Sequence, residues 1–340
     1  MTRTPTLADV AHRAGVSTAT VSRCVNAPAR VQPETRERIE AAIRDLGYSP
    51  NFGARALAAR RTDTIGAIIP TLDNSVFARG LQAFQTALVE HGMTLLLASS
   101  SYRPDLEEAQ IRTLVARGAD GLLLIGHERD PALYDFLALH RVPVLVAWVH
   151  DPAAPRPSVG FDNKAAMEAM TSAVLDRGHV RLATISGHTR FNDRTRDRVA
   201  GVRAAMAARG LDPAALAVVE TPYGIETGAQ AMAELMARDP RPTAVICGND
   251  LLGMGALRQA RAMGLRVPGD VSITGFDDME LSTVADPPLA TVAIPHARMG
   301  TTAAAMLTGM VRDGTRPDSV ALPCEILLRA SLGPAPLSPA

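Results

Sequence analysis

The chain has 340 residues, 47% hydrophobic and 21% charged, a balance that excludes a disordered chain and leaves room for two or three cores. No apolar run approaches the roughly 18 residues of a membrane span, MTRTPTLADV carries no apolar leader, and Cys24, Cys247 and Cys324 are too scattered for a disulfide framework or a zinc motif, so a reducing cytoplasm is the expected location. Net charge is zero, yet residues 1–61 hold ten arginines against five acidic residues, which gives a basic head on an acidic body and predicts a polyanion partner for the head.

The head opens with Thr6 and Asp9, a T-x-x-D pair suited to cap a helix start. Leu7, Val10, Ala11 and Ala14 follow on one helical face, and Gly15 closes that helix. Ser17 can cap a second helix, Thr18 to Val25, whose buried side is Val21, Cys24 and Val25. A third helix is expected from Pro33 to Leu46, with Ile39, Ala42, Ile43 and Leu46 inward and Gly47 at its end. Two short helices joined by a tight turn make a helix-turn-helix pattern. The second helix turns Thr18, Ala19, Ser22 and Arg23 outward. These types suit base edges: arginine pairs with guanine, a small residue packs on a thymine methyl, and hydroxyls donate or accept. Thr35, Arg36 and Arg38 are placed to meet phosphates. By pattern alone, a three-helix protein-binding bundle fits equally well.

After residue 63 short apolar runs alternate with amphipathic stretches. TIGAIIP, MTLLLAS, DGLLLIG and VPVLVAW read as buried parallel strands, and VRLATIS, LAVVE, TAVICGND and DVSITGFDD form a second series. The intervening helices are expected near 77–91, 106–117 and 131–140, then near 164–177, 194–209, 224–238 and 251–263. This alternation predicts a doubly wound α/β body with parallel sheets, and two series predict two lobes. Ligands of such sheets sit outside the carboxyl ends of the strands. That rule collects Asn74, Phe77, Ser99 to Tyr102, His127 and Trp148 from the first series. From the second it collects Phe161, Asp162, the Arg194–Arg198 segment, Tyr223, Asn249, Asp250 and Asp277. Aromatic faces with arginine, asparagine and aspartate are what a sugar requires. Each has a plainer reading. Trp148 and Phe161 suit a core, Asp277 and Asp278 a turn, and Asp250 the cap of the next helix. Arg194 and Arg196 suit a solvated or paired surface, whereas Arg198 is the favoured ligand group.

LADVAHRAGVSTATVSRCVN, followed by V-Q-P-E-T-R-E-R-I and L-G-Y-S-P-N, resembles the head of the LacI/GalR family of bacterial transcription regulators. The resemblance implies DNA contacts from Thr6, Ser17, Thr18, Ala19, Thr20, Ser22, Arg23, Asn26 and Thr35. It extends them to Asn51, Ala54 and Leu57, with Leu57 as a wedge in the minor groove. Gln32 departs from the family's usual capping serine. Gly53 departs from a helix former, at about 1 kcal/mol against alanine, which predicts a hinge that orders only on DNA. The implied divisions are a helix-turn-helix head over 1–50 and a hinge helix and linker over 51–63. A first lobe spans 64–161 and 292–323, a second spans 162–291 and 324–333, and a flexible tail covers 334–340. The body is expected to be periplasmic-binding-protein-like, with a last helix near 298–311 returning to the first lobe.

The resemblance also implies an effector site of Phe77, His127, Trp148, Phe161, Arg198, Asn249 and Asp277. Trp148 stands where several members carry an aspartate. L-D-N-S-V-F-A-R-G-L and V-G-F-D-N are similar to the gluconate-repressor branch, so a sugar or a sugar acid such as gluconate is the expected effector, with arginine or His127 for a carboxylate. A purine-type corepressor and a sugar-transport protein are the alternatives; the second leaves the basic head unexplained. No phosphate loop, nucleophile elbow or H-E-x-x-H spacing is present, so no enzyme, cofactor or metal site is expected. The implied partner is palindromic operator DNA, bound by a homodimer. The tail SLGPAPLSPA has no heptad that would build a tetramer.

Overall fold

The computed structural model describes residues 4–49, 61–73 and 75–336. The expectations for Asn51, Gly53, Ala54, Leu57 and Asn74 lie outside the described residues. The chain divides into two compact units, Met1–Thr62 and Asp63–Ala340.

The first unit holds α1 (Leu7–Ala14), α2 (Thr18–Asn26) and α3 (Pro33–Leu46). Thr6 and Asp9 form the expected reciprocal capping box, and Gly15 ends α1 in the left-handed conformation. Ser17 Oγ accepts from the Thr20 N–H at 3.2 Å and starts α2. A 3-10 turn at Pro28–Arg30, too short for a periodic signal, leads into α3. Gln32 occupies the N-cap of α3 but makes no side-chain hydrogen bond there, so this departure leaves the helix start without a side-chain cap. The three helices close over Val10, Ala11, Ala14, Val21, Cys24, Ile39 and Ala42.

The second unit contains two parallel sheets. β1 (Thr64–Ile69), β2 (Thr94–Ser99), β3 (Gly121–Ile125), β4 (Val144–Ala147), β5 (Ser158–Gly160) and a late strand at 320–321 lie in one, with the late strand and β2 at its edges. β1, β3 and β4 are buried along their whole length, the reason they read as unbroken apolar runs, whereas edge strand β2 is not. The helices of this lobe are α4 (Ser75–Glu90), α5 (Pro104–Ala116) and α6 (Pro131–Leu139). The chain then enters α7 (Asn163–Leu175) and the second sheet, in the order β7 (Ala217–Glu220), β6 (Leu182–Ser186), β8 (Ala244–Cys247), β9 (Ser272–Thr274). Its other helices are α8 (Asp193–Ala208), α9 (Ile225–Met236), α10 (Asp250–Ala262) and the short α11 (Glu280–Val284). β10 (Thr291–Ala293) pairs antiparallel with β12 (Glu325–Leu327) where the chain passes between the lobes. Between them α12 (His296–Arg312) packs on α4, and β11 (Val320–Ala321) completes the first sheet. In each sheet strand order reverses next to the first strand of its series, between β1 and β3 and between β6 and β8. Both crevices therefore open at the carboxyl ends of those strands.

Candidate functional site

On the head, Thr18, Ala19 and Arg23 are exposed on α2, and Thr20 and Ser22 are half-buried. Several hydroxyls are already engaged within the head. Ser17 Oγ and Thr20 Oγ1 lie 2.9 Å apart, and Ser22 Oγ accepts from Asn26 Nδ2 at 3.3 Å. Arg13 pairs with Asp45 at 3.2 Å and Arg36 with Glu40 at 3.8 Å. The Arg23 guanidinium has no such partner among the described residues, so it is the cation on this helix free to meet a base edge. Thr35 is half-buried and Thr6 exposed.

In the body, one small cavity of about 30 Å³ lies between the lobes. Phe77, Trp148, Phe161, Arg198, Asn249 and Asp277 all line it, brought from six separate segments. His127 does not line it. It stands aside on the segment after β3, where its backbone N–H donates to Asp193 Oδ2 at 2.5 Å and burial holds its imidazole pKa down. The cavity also takes walls from Tyr102, Asn192, Arg194 and Tyr223. The rings of Tyr102 and Tyr223 face each other across the cleft at 6.0 Å. A volume of this size holds one or two waters, whereas ligand pockets run to about 300–1,000 Å³. Two larger clefts of about 550 and 660 Å³ adjoin it, the first sharing Tyr102 and Arg194 with it and the second Tyr102, Asn192 and Tyr223, so the space between the lobes extends well beyond this cavity.

Arg198, on the second turn of α8, is the hub. Its Nη1 donates to Asn163 Oδ1 at 2.9 Å and its Nη2 to the Tyr223 hydroxyl at 2.9 Å, and the group lies 4.9 Å from the Phe276 ring centre. All three partners are neutral. Asn163 Nδ2 in turn donates to the Trp148 carbonyl at 3.1 Å, which ties the hub to the other lobe. Asn163, Phe276 and Asn192 escape a sequence reading. Asn163 and Asn192 resemble ordinary helix starts, and Phe276 resembles a core residue; only their position beside Arg198 and the cavity singles them out.

Two expectations are corrected. Asn249, not Asp250, caps α10, its Oδ1 accepting from the Leu252 N–H at 2.9 Å. Asp250 turns inward and accepts from the Met279 N–H at 2.7 Å and the Thr291 hydroxyl at 2.6 Å. Arg194 is buried rather than on the surface. Its Nη1 bonds Asp193 Oδ1 at 2.8 Å and the Ile125 carbonyl of the other lobe at 3.1 Å. Arg196 is surface-paired as expected, to Glu128 at 2.6 Å, and that pair also spans the cleft.

Burial pushes the Asp250 carboxyl up to about 7, against the hydrogen bonds that favour its charged form. A carboxyl raised in the folded state holds its proton more tightly there than in the unfolded chain. Its contribution is then fully present below the ordinary aspartate value near ~4 and is lost as pH rises to about 7. Asp250→Asn is expected to flatten this component. Urea unfolding at both ends of that window should give a smaller loss of stability with rising pH for the variant than for the parent. Equal losses would show that Asp250 keeps an ordinary pKa.

Residues 6–51 match the model of bacterial regulatory proteins of the lacI family, and residues 171–332 that of a periplasmic binding protein-like domain. The HTH-type transcriptional regulator GntR of Escherichia coli is 32% identical over 308 residues, covering 91% of this chain and 92% of its own. The Lac repressor dimer bound to operator and the anti-inducer ONPF is similar in structure, with a TM-score of 0.86 at 26% identity over 97% of this chain and 100% of that one. A transcriptional regulator CelR–cellobiose complex gives 0.70 at 32% identity over 96% and 99%. A basic helix-turn-helix head, a two-lobed parallel-sheet body and near end-to-end similarity agree: the chain belongs to the lacI family of bacterial regulatory proteins and is a DNA-binding transcriptional regulator, not an enzyme.

Proposed function

We propose that the protein is a repressor that binds a palindromic operator as a homodimer and is switched by a small carbohydrate-like effector held between its lobes. α2 enters the major groove, and Thr18, Ala19, Ser22 and Arg23 meet base edges while Thr35 meets a phosphate. The effector is a sugar or a sugar acid of the gluconate type, bound by Phe77, Trp148, Phe161, Arg198, Asn249 and Asp277. The observation that carries this reading is the gathering of those six residues, three of them aromatic, around one interlobe cavity at the strand ends. The similarity to a regulator solved with cellobiose supports a carbohydrate. Opening and closing of the cleft then shifts the equilibrium between DNA-bound and free protein, with a coupling of about 1–3 kcal/mol that acts equally on both affinities.

Selection of genomic fragments on the purified protein tests this, at near-physiological salt, with and without a pool of sugars, sugar acids and purines. One enriched palindrome whose recovery changes with the pool is the expected result. Salt-sensitive, sequence-independent binding under both conditions would overturn the reading. Arg23→Ala is expected to cost about 1–3 kcal/mol at the selected site and to relax preference at one base pair. Unchanged operator affinity in a gel-shift titration would remove Arg23 from base reading.

A further inference from the structure

Trp148 belongs to the buried core, and three neighbours fix the place of its indole there. A Cβ at Gly80 would lie 2.7 Å from both Cη2 and Cζ2 of the indole, so only glycine there admits the ring. Phe77 and His296 confine it, with ring centres at 5.3 and 6.4 Å. The backbone at Trp148 has φ 61°, a region that bulky residues avoid. Fixed in this way, its Nε1–H is buried without an acceptor.

Two other cavity residues share that condition. Asn249 uses Oδ1 for the cap of α10, which fixes its Nδ2 as the atom left over, buried and unpartnered. Arg198 uses both terminal nitrogens on neutral partners, and its Nε–H is buried with none. Among the described residues, every unpartnered buried polar atom on a cavity-lining side chain is an N–H donor. Buried donors without acceptors are unfavourable, and a ligand that supplies acceptors relieves them.

We propose that Trp148, admitted by Gly80, sets the ligand class of this site: its indole N–H, with Arg198 Nε–H and Asn249 Nδ2–H, offers three unpartnered donors to the carboxylate end of a polyhydroxylated acid. The proposal rests on the effector reading above and narrows it from sugars in general to acids. A hydroxyl always brings a proton of its own, whereas a carboxylate brings acceptors alone. The one acidic side chain lining the cavity is Asp277, and burial pushes its carboxyl well above the usual range in spite of the Arg198 guanidinium, a shift that lessens its opposition to an incoming anion.

Trp148 is the only tryptophan in the chain, so a ¹H–¹⁵N spectrum of the full-length protein contains one indole resonance. The test combines that spectrum with calorimetric titration of D-gluconate, D-glucuronate, D-glucose and hypoxanthine. An acid is expected to bind at least about tenfold more tightly than glucose and to move the indole proton downfield. Trp148→Phe, which keeps a ring in the slot without the N–H, is expected to lose about tenfold in affinity for the acid and to change little for glucose. Tighter binding of glucose, or binding of an acid with an unmoved indole resonance, would overturn the proposal and leave the effector reading standing. Absence of binding by every probe would overturn both. Should Trp148→Phe fail to fold, the spectrum of the parent protein decides alone.

Discussion

Arg198→Met is expected to weaken effector binding about a hundredfold, near 3 kcal/mol, while operator binding without effector stays unchanged. The side chain sits where three groups converge. Removing the guanidinium leaves Asn163 Oδ1 and the Tyr223 hydroxyl without their donor and deletes the contact with the Phe276 ring. It also removes one of the two arginines that line the cavity, whose charge a bound acceptor group would otherwise meet in a water-poor site. Methionine keeps the length of the stem, so packing along α8 changes little. The head belongs to a separate compact unit, so its own contacts are untouched. Calorimetry on the effector and gel shift on the operator separate the two arms. A variant whose operator binding still responds at the parent effector concentration would place Arg198 outside the site.

Gly126→Ala is expected to hold the lobes apart. Gly126 follows β3 with φ 75°, where an L-residue costs about 1–2 kcal/mol. A Cβ there would fall 1.9 Å from Arg194 Nη1 and 2.4 Å from Asp193 Oδ1. Neither side chain could stay, and two charge-assisted interlobe bonds would be lost: Arg194 to the Ile125 carbonyl at 3.1 Å and the His127 N–H to Asp193 at 2.5 Å. Hydrogen bonds to charged groups contribute about 1.5–3 kcal/mol each, so the closed form loses several kcal/mol relative to the open one. Small-angle scattering should show a larger radius of gyration, and effector affinity should fall by at least about tenfold because closure no longer follows binding. Gly126 itself does not line the cavity, so the loss would come from closure rather than from a missing ligand contact. A parent-like scattering curve would mean that these contacts follow closure instead of holding it.

Much of this protein was legible from the sequence because the deciding signals are local. The caps at Thr6 and Ser17, the apolar faces of α1 to α3, and the glycines that end α1 and α3 each lie within a few residues of what they control. The long strands are legible for the same reason, since burial on both faces leaves an unbroken apolar run. β5, β10, β11 and β12 are two or three residues long. Such lengths carry no period, and only partners already in place make them strands. The neighbours Asn249 and Asp250 show the limit within a site. Both can cap a helix, and the choice fell to the direction from which Met279 and Thr291 approach. The type of group that could meet a ligand was written in the sequence, as was its place after a strand. Tertiary structure decided which of these groups converge, which of their hydrogen bonds stay unmade, and that a glycine on α4 makes room for the indole of Trp148. Those outcomes depend on distances between segments far apart in the chain, and such distances are set only when the two sheets and their helices pack.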